Sequence, residues 1–330
     1  MTIAAPSRRE LGALLAILLI AAAIRILTAD YPLWFDELAS LVFAGEPLHR
    51  LWSGWMVRET NPPLYYSLLR GWIALFGDAD RTLRLLSLLI GLTGIAAAWA
   101  IARRIGGATA GLAAAALLAV SAAHVDISQQ VRGYALADTA ALVAMLGMVR
   151  FLDRERIVDL FVYAIAALVA LYAHTTMIVF VALANVAVLL LVRRRTALMS
   201  WLMANAIVAL GWAWWGWITF VQATGAQSSI SWIAKPTVSQ ATAITEQAYL
   251  PTYLASSGLA SHLLLAFLVI GVAALAWRDR RPAVIALAVL ALGAPVAIFA
   301  LSQFKPIFLV RTIYWEAIRH GYWWPVRSLA

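Results

Sequence analysis

Residues Leu83–Val120 read LRLLSLLIGLTGIAAAWAIARRIGGATAGLAAAALLAV, two apolar stretches divided by the pair Arg103 and Arg104. Each stretch approaches the roughly 20 residues an α-helix needs to cross the hydrocarbon core of a bilayer. Adjacent guanidinium groups are too costly to leave in that core, so the segment reads as two crossings joined by a short polar turn. The rest of the chain repeats this pattern. Of its 330 residues, 64% are hydrophobic and 12% charged, whereas soluble globular proteins run at about 45–50% and about 25%. The fold class that follows is all-α, a polytopic membrane helix bundle, with residues 1–330 forming a single transmembrane domain. Without a single Cys, the chain has neither disulfides nor thiolate metal sites.

Uncharged apolar runs predict about nine crossings, near Leu11–Ala29, Leu83–Ala102, Ala108–Val125, Tyr134–Phe151, Val158–Tyr172, Met177–Val192, Leu198–Phe220, Leu259–Trp277 and Ala283–Leu301. Arginine orients them. Arg8/Arg9, Arg103/Arg104, Arg150/Arg154/Arg156, Arg193/Arg194/Arg195 and Arg278/Arg280/Arg281 fall on alternate connections. Because cationic side chains next to a crossing stay cytoplasmic, the amino terminus is expected inside and the other connections outside. The net charge of +9 is then a mark of topology, and no nucleic-acid partner is expected. The long apolar core of residues 1–29 contains Arg25 and reads as a retained first crossing rather than a cleaved signal peptide. The expected location is the plasma (inner) membrane, with the site extracytoplasmic.

That orientation places DYPLWFDELASLVFAGEPL, with Asp36 beside Glu37, on the outer face just after the first crossing. The first outer loop, residues 30–81, is long enough to carry function. Within it, Leu64/Tyr65, Leu68/Leu69, Trp72/Ile73 and Leu75/Phe76 recur with helical spacing, opposite Ser67, Arg70 and Gly71. A helix of about a dozen residues cannot span a bilayer, so an interfacial helix is expected, starting at Pro62–Pro63; a re-entrant packing helix is the alternative. A second interfacial helix is expected from Phe35 to the GEP that follows Ala44. Outer cations complete the set: Arg81 and Arg84 before the second crossing, Arg132 in DISQQVRGYAL, His174, and Lys305 with Arg311 after the last crossing. Any one of them can be a headgroup anchor. Together, beside one acidic pair, they suit an anionic lipid-borne group, above all a phosphate.

The acidic pair after the first crossing, then NPPLYYSLLRGWIALFGDADRTLRLLSLLIGL, then SQQVRGYAL, resembles the GT-C class of integral-membrane glycosyltransferases. The likeness is to the branch containing protein O-mannosyltransferases and the lipid A aminoarabinose transferase, over residues 10 to 200. The resemblance implies a polyprenyl-phosphate sugar donor, an inverting transfer on the outer face, Asp36 as catalytic carboxylate and Arg84 as the family's arginine. It also implies a lipid, glycan or protein acceptor. The chain departs from the family in its tail, residues 302–330, where no further crossing follows; truncation, a frameshift or a reduced natural form would each account for it.

The chemistry fits these residue types. A phosphate leaves as a stable anion, so one carboxylate base and cations on the leaving group suffice, whereas inverting glycosidases need two carboxyls. The expected catalytic residues are Asp36 as base and Glu37 in a positioning role. Arg84, Arg132, His174 and Arg311 are expected on the donor phosphate. Tyr65, Tyr66 and Tyr134 are expected to line the sugar pocket, with Asp138 orienting Arg132 or Tyr134. Residues 221–257 form the second outer loop, expected to meet the acceptor. The five His form no spaced metal motif, so no cofactor is expected, and a divalent ion at Asp36 or Glu37 is the lesser alternative. Two other function classes suit a polytopic chain: a lipid-linked-sugar transporter or flippase, with paired broken helices and a midplane site, and a non-catalytic paralogue serving as an assembly partner.

Overall fold

A computed structural model describes residues 5–224, 234–250, 258–279, 281–305 and 307. Arg311 and most of the 302–330 tail therefore lie outside the described residues, as do parts of the 221–257 loop. The described residues are helical and form a polytopic bundle. In chain order they are α1 (Arg8–Leu27), α2 (Phe35–Gly45), α3 (Leu48–Leu51), a 3₁₀ turn (Gly54–Arg58), α4 (Leu64–Phe76), α5 (Asp80–Val120), α6 (Ala122–Gln129) and α7 (Tyr134–Arg154). Then come α8 (Ile157–Ala173), α9 (Met177–Leu191), α10 (Arg195–Thr224), α11 (Val238–Tyr249), α12 (Leu259–Arg278) and α13 (Pro282–Ser302). Six of these, α1, α5, α7, α10, α12 and α13, are long and apolar enough to cross a membrane, and α8 and α9 are shorter apolar helices.

The stretch Leu83–Val120 folds as its sequence suggests, with a detail the apolar pattern does not contain. The helical run breaks at Gly107, whose φ of 79° is open to glycine at little steric cost. Its two legs, 80–106 and 108–120, lie side by side, so that Ile95 on one shares a buried cluster with Ala115 and Ala119 on the other and with Leu14 and Ala21 of α1. The second leg ends at Ser121, short of the expected Val125. The Ser121 hydroxyl accepts from the His124 amide at 3.3 Å and starts α6 as a separate helix. Helix α7 is the centre of the bundle and packs on α5, α8, α9 and α13.

The arginine clusters gather at one end of the bundle. Arg103 pairs with Glu10 at 2.5 Å, Arg104 with Asp153 at 2.7 Å and Arg194 with Glu155 at 2.9 Å, and Arg281 donates to the Ile105 carbonyl at 3.0 Å. The loop after α1 is bound to the opposite end. Thr175, between α8 and α9, donates to the Thr60 carbonyl at 3.1 Å, and Gln222 of α10 donates to the carbonyls of Val57 and Glu59 at 3.0 and 2.6 Å. Alternate connections thus occupy opposite ends, as the arginine pattern requires.

Both short helices expected in that loop are present. Helix α2 runs from Phe35 to Gly45, and Arg70 of α4 donates to the carbonyls of Ala44, Gly45 and Glu46, binding the two helices together. The apolar stripe of α4 does not all face one way. Tyr65, Tyr66 and Leu69 are buried, whereas Leu68, Leu75 and Phe76 are exposed. Apolar residues cover more of this helix than its contact with the bundle uses, which leaves a greasy outer edge for lipid.

A polar ladder inside the apolar layers ties α1 to α6. The fully buried Arg25 donates to the carbonyls of Ala21 and Ala119 at 2.9 and 3.0 Å and to His124 Nδ1 at 2.6 Å. Gln129 returns a bond to the Arg25 carbonyl at 2.8 Å. Away from water each such group needs a partner, and this set fixes where α6 ends and residues 130–133 begin.

Candidate active site

Two acid–arginine pairs meet where α2 lies across the start of α5 and the connection from α6 to α7. The Trp34 carbonyl accepts from the amides of Glu37 and Leu38, so α2 starts with Asp36 and Glu37 in its first turn. Carboxylates are favoured there by the unpaired amides and the helix dipole. Adjacent residues on a helix diverge, and these two carboxylates reach different surroundings.

Glu37 is fully buried. Its Oε1 accepts from Arg84 Nη1 at 3.1 Å and from the Val131 amide at 2.9 Å, and its Oε2 accepts from the Trp34 amide at 3.1 Å. Arg84 is as deeply enclosed. Nη1 also donates to the Gln129 carbonyl at 2.9 Å, Nη2 donates to the Tyr31 carbonyl at 3.0 Å, and the guanidinium sits 3.9 Å from the Tyr31 ring centre. Its Nε is sealed without a hydrogen-bond partner. Arg84, expected on the donor phosphate, is thus paired with Glu37. The pair works as a clasp holding α2, α5 and residues 129–131 together.

Asp36 and Arg132 form the open pair. The Asp36 side chain keeps 26% of its exposure, and its Oδ2 lies 3.9 Å from Arg132 Nη2, beyond hydrogen-bonding distance. Arg132 Nη1 donates to the Asp36 carbonyl at 3.1 Å, to Ser40 Oγ at 3.4 Å and to Tyr66 Oη at 3.5 Å. Its Nε and Nη2 make no hydrogen bond with the described residues, and neither is sealed from outside. Arg132 is itself buried, with 7% exposure, and is held by these bonds and by the ion pair of Nη2 with Asp36; a fixed guanidinium beside a partly exposed carboxylate is suited to hold an anion.

The expected pocket residues separate into those that join this pair and those that do not. Tyr66 joins it, donating to Glu59 Oε1 at 3.1 Å; burial pushes its phenol pKa well above the ordinary value, so it remains a donor. Tyr134 lies with its ring 5.7 Å from the Arg132 guanidinium and 5.5 Å from the His174 ring. His174 is held by Thr176, 2.7 Å from Nδ1, at the edge of the same group. Tyr65 turns away, its hydroxyl 3.0 Å from Ser87 on α5. Asp138 also lies elsewhere, with Oδ2 3.7 Å from His124 Nε2 and no bond or ion pair to Arg132 or Tyr134; one turn of α7 aims it at α6 instead. Lys305 caps α10 by donating to the Ala223 carbonyl at 2.7 Å. A cavity of about 410 Å³, lined by Asp30, Arg81, Arg84, Leu85 and Ser128, lies against Arg84 but is lined by neither Asp36 nor Arg132.

The sequence reading passed over Glu59, Asn61 and Ser40. Ser40 is one turn after Asp36, a spacing that could have indicated it. Glu59 stands three residues before Pro62 as one acid in a long loop, a weak signal until Tyr66 brings it to Arg132. Among the described residues, no three His, Asp or Glu side chains come together as a metal site.

Residues 60–229 match the family model described as dolichyl-phosphate-mannose-protein mannosyltransferase, more than half of the chain. The matched segment contains α4, Arg84, Arg132, Tyr134 and His174 and begins after Asp36. No curated protein matches the chain.

Proposed function

The chain belongs to the dolichyl-phosphate-mannose-protein mannosyltransferase family, and on that premise we propose that it is an inverting mannosyltransferase whose reaction centre is Asp36 with Arg132. The donor is a polyprenyl-phosphate sugar, the acceptor carries a free hydroxyl, and the reaction takes place on the extracytoplasmic face of the plasma membrane. The observation that carries this reading is the difference between the two pairs: Glu37 and Arg84 are buried and hydrogen-bonded to each other, whereas the Asp36 carboxylate keeps 26% of its exposure and lies 3.9 Å from Arg132.

In the proposed step Asp36 accepts the proton of the acceptor hydroxyl as that oxygen bonds to the anomeric carbon. The bond from this carbon to the phosphate oxygen breaks, and its electron pair leaves with the lipid phosphate. Arg132 meets the departing anion through Nε and Nη2, with His174 at the rim. A positioned base of this kind contributes about 10²–10⁴-fold, and fixed cations at the leaving group add electrostatic stabilisation without reorganising. Arg84 acts at one remove by holding Glu37, and through it the α2 turn that carries Asp36. We assign the sugar pocket to Tyr66 and Tyr134. Residues 30–81 serve as the catalytic loop of a single transmembrane domain, and residues 221–257 meet the acceptor.

Two measurements test this. Mass spectrometry of membrane lipids, glycans and secreted proteins from cells with and without the chain should show one class losing a hexose. Unchanged profiles in all three classes would contradict the reading. The chain has no Cys, so Asp36→Cys provides one thiol, which an impermeant maleimide should label from outside intact cells. Labelling only after permeabilisation would place the site on the wrong face.

A further inference from the structure

Beside Tyr66 Oη, the atom that Arg132 Nη1 also reaches, lies a second polar group that the transfer step does not use. Glu59 Oε1 accepts three hydrogen bonds, from Tyr66 Oη at 3.1 Å, the Asn61 amide at 3.0 Å and Asn61 Nδ2 at 2.7 Å. Its Oε2 accepts none from the described residues and is not sealed, and the same holds for Asn61 Oδ1. The segment bearing them is fixed from below: Gln222 donates to the Glu59 carbonyl and Thr175 to the Thr60 carbonyl. Pro62 and Pro63 follow and restrict the backbone. Two acceptor oxygens from residues two apart are therefore left open on a tethered segment, while the Asn61 amide and Nδ2 are engaged by Glu59.

Such an edge selects its ligand by polarity. Acceptors without donors attract hydroxyls and repel a phosphate, whereas the free nitrogens of Arg132 do the reverse. Tyr66 lies between them, donating to Glu59 and touching Arg132 Nη1 at 3.5 Å. Donor and acceptor groups thus meet at one phenol oxygen, complementary to a molecule that carries a phosphate and hydroxyls close together. We propose that Glu59 and Asn61 form the hydroxyl-binding edge of the donor site, contacting the sugar that is transferred and setting which sugar is accepted. This rests on reading Asp36 and Arg132 as a sugar-transfer centre.

The test compares two lipids on reconstituted full-length protein: polyprenyl-phosphate mannose and the same polyprenyl phosphate without sugar. Glu59→Gln keeps an oxygen for Tyr66 and Asn61 but removes the charge and replaces one acceptor by a donor. It should weaken the sugar-bearing lipid about tenfold, the scale of one hydrogen bond lost to a charged acceptor. Binding of the bare lipid should stay within about twofold. Asn61→Ala should act in the same direction with a smaller effect. Among donors lacking one hydroxyl each, wild type should reject at least one, and Glu59→Gln should lose that discrimination. Equal weakening of both lipids, as from a structural role, would overturn the proposal. So would unchanged binding of both, or a wild type with no preference for the sugar-bearing lipid. Wild-type protein that prefers the sugar-bearing lipid but transfers nothing would refute the transferase reading and leave the hydroxyl-binding edge standing.

Discussion

Asp36 and Glu37 are neighbours of nearly the same chemistry, each facing an arginine, and the fold uses them in opposite ways. Glu37 and Arg84 are buried together and share their hydrogen bonds with Tyr31, Trp34, Gln129 and Val131. Asp36 and Arg132 form a looser ion pair at 3.9 Å, with the Asp36 side chain 26% exposed. The difference teaches that adjacent acids on one helix turn can meet different surroundings, one enclosed and one partly exposed, because their side chains diverge.

Breaking the buried pair should have the largest effect on the fold. Glu37→Ala leaves Arg84 enclosed without its carboxylate and two amides unsatisfied, a loss of about 3–5 kcal/mol. Thermal unfolding in detergent should show it, and replacing both residues by apolar ones of similar volume should recover most of the loss. A Glu37→Ala protein that melts with wild type would erase the contrast. Arg132→Ala should leave unfolding less affected and weaken donor binding by roughly 1.5–3 kcal/mol, the range for a charge-assisted phosphate contact. Equal donor affinity in that variant would reduce Arg132 to an anchor. Gly133→Ala sharpens the comparison from the backbone side, since a Cβ there would lie 2.7 Å from the Ala173 carbonyl oxygen. The start of α7 would have to move from α8 at a cost of about 1–3 kcal/mol, displacing Arg132; an unshifted unfolding temperature would contradict that. Tyr66→Phe should be smallest, about 0.5–1.5 kcal/mol of stability for one hydrogen bond, and a cost as large as that of Glu37→Ala would mean that Tyr66 belongs to the structural half.

Much of the architecture was legible because membrane helices write themselves plainly. Apolar length marks crossings, arginine marks one end, and Pro62–Pro63 marks the start of α4. The turn between the second and third crossings was visible from Arg103 and Arg104, but not that Gly107 is the residue that breaks the helix. The site was legible in type but not in pairing. Asp36, Arg132, Tyr66, Tyr134 and His174 do come together, yet the sequence cannot say which arginine meets which acid, because the partners are far apart along the chain and chosen by packing. Asp138 shows the same limit. Its place one turn after Tyr134, on nearly the same face of the helix, suggested a shared site, but a turn further along α7 its neighbour is His124 of α6. Glu59 was missed for the converse reason, since a lone carboxylate acquires meaning only from the tyrosine that reaches it.

The most direct test is Asp36→Asn, with donor binding and sugar transfer measured on one preparation. The amide keeps the shape of the turn and removes the base, while Arg132 loses a competing negative charge. Binding of polyprenyl-phosphate mannose should therefore hold or tighten while transfer falls by about 10²–10⁴-fold. Transfer at the wild-type rate would contradict the account.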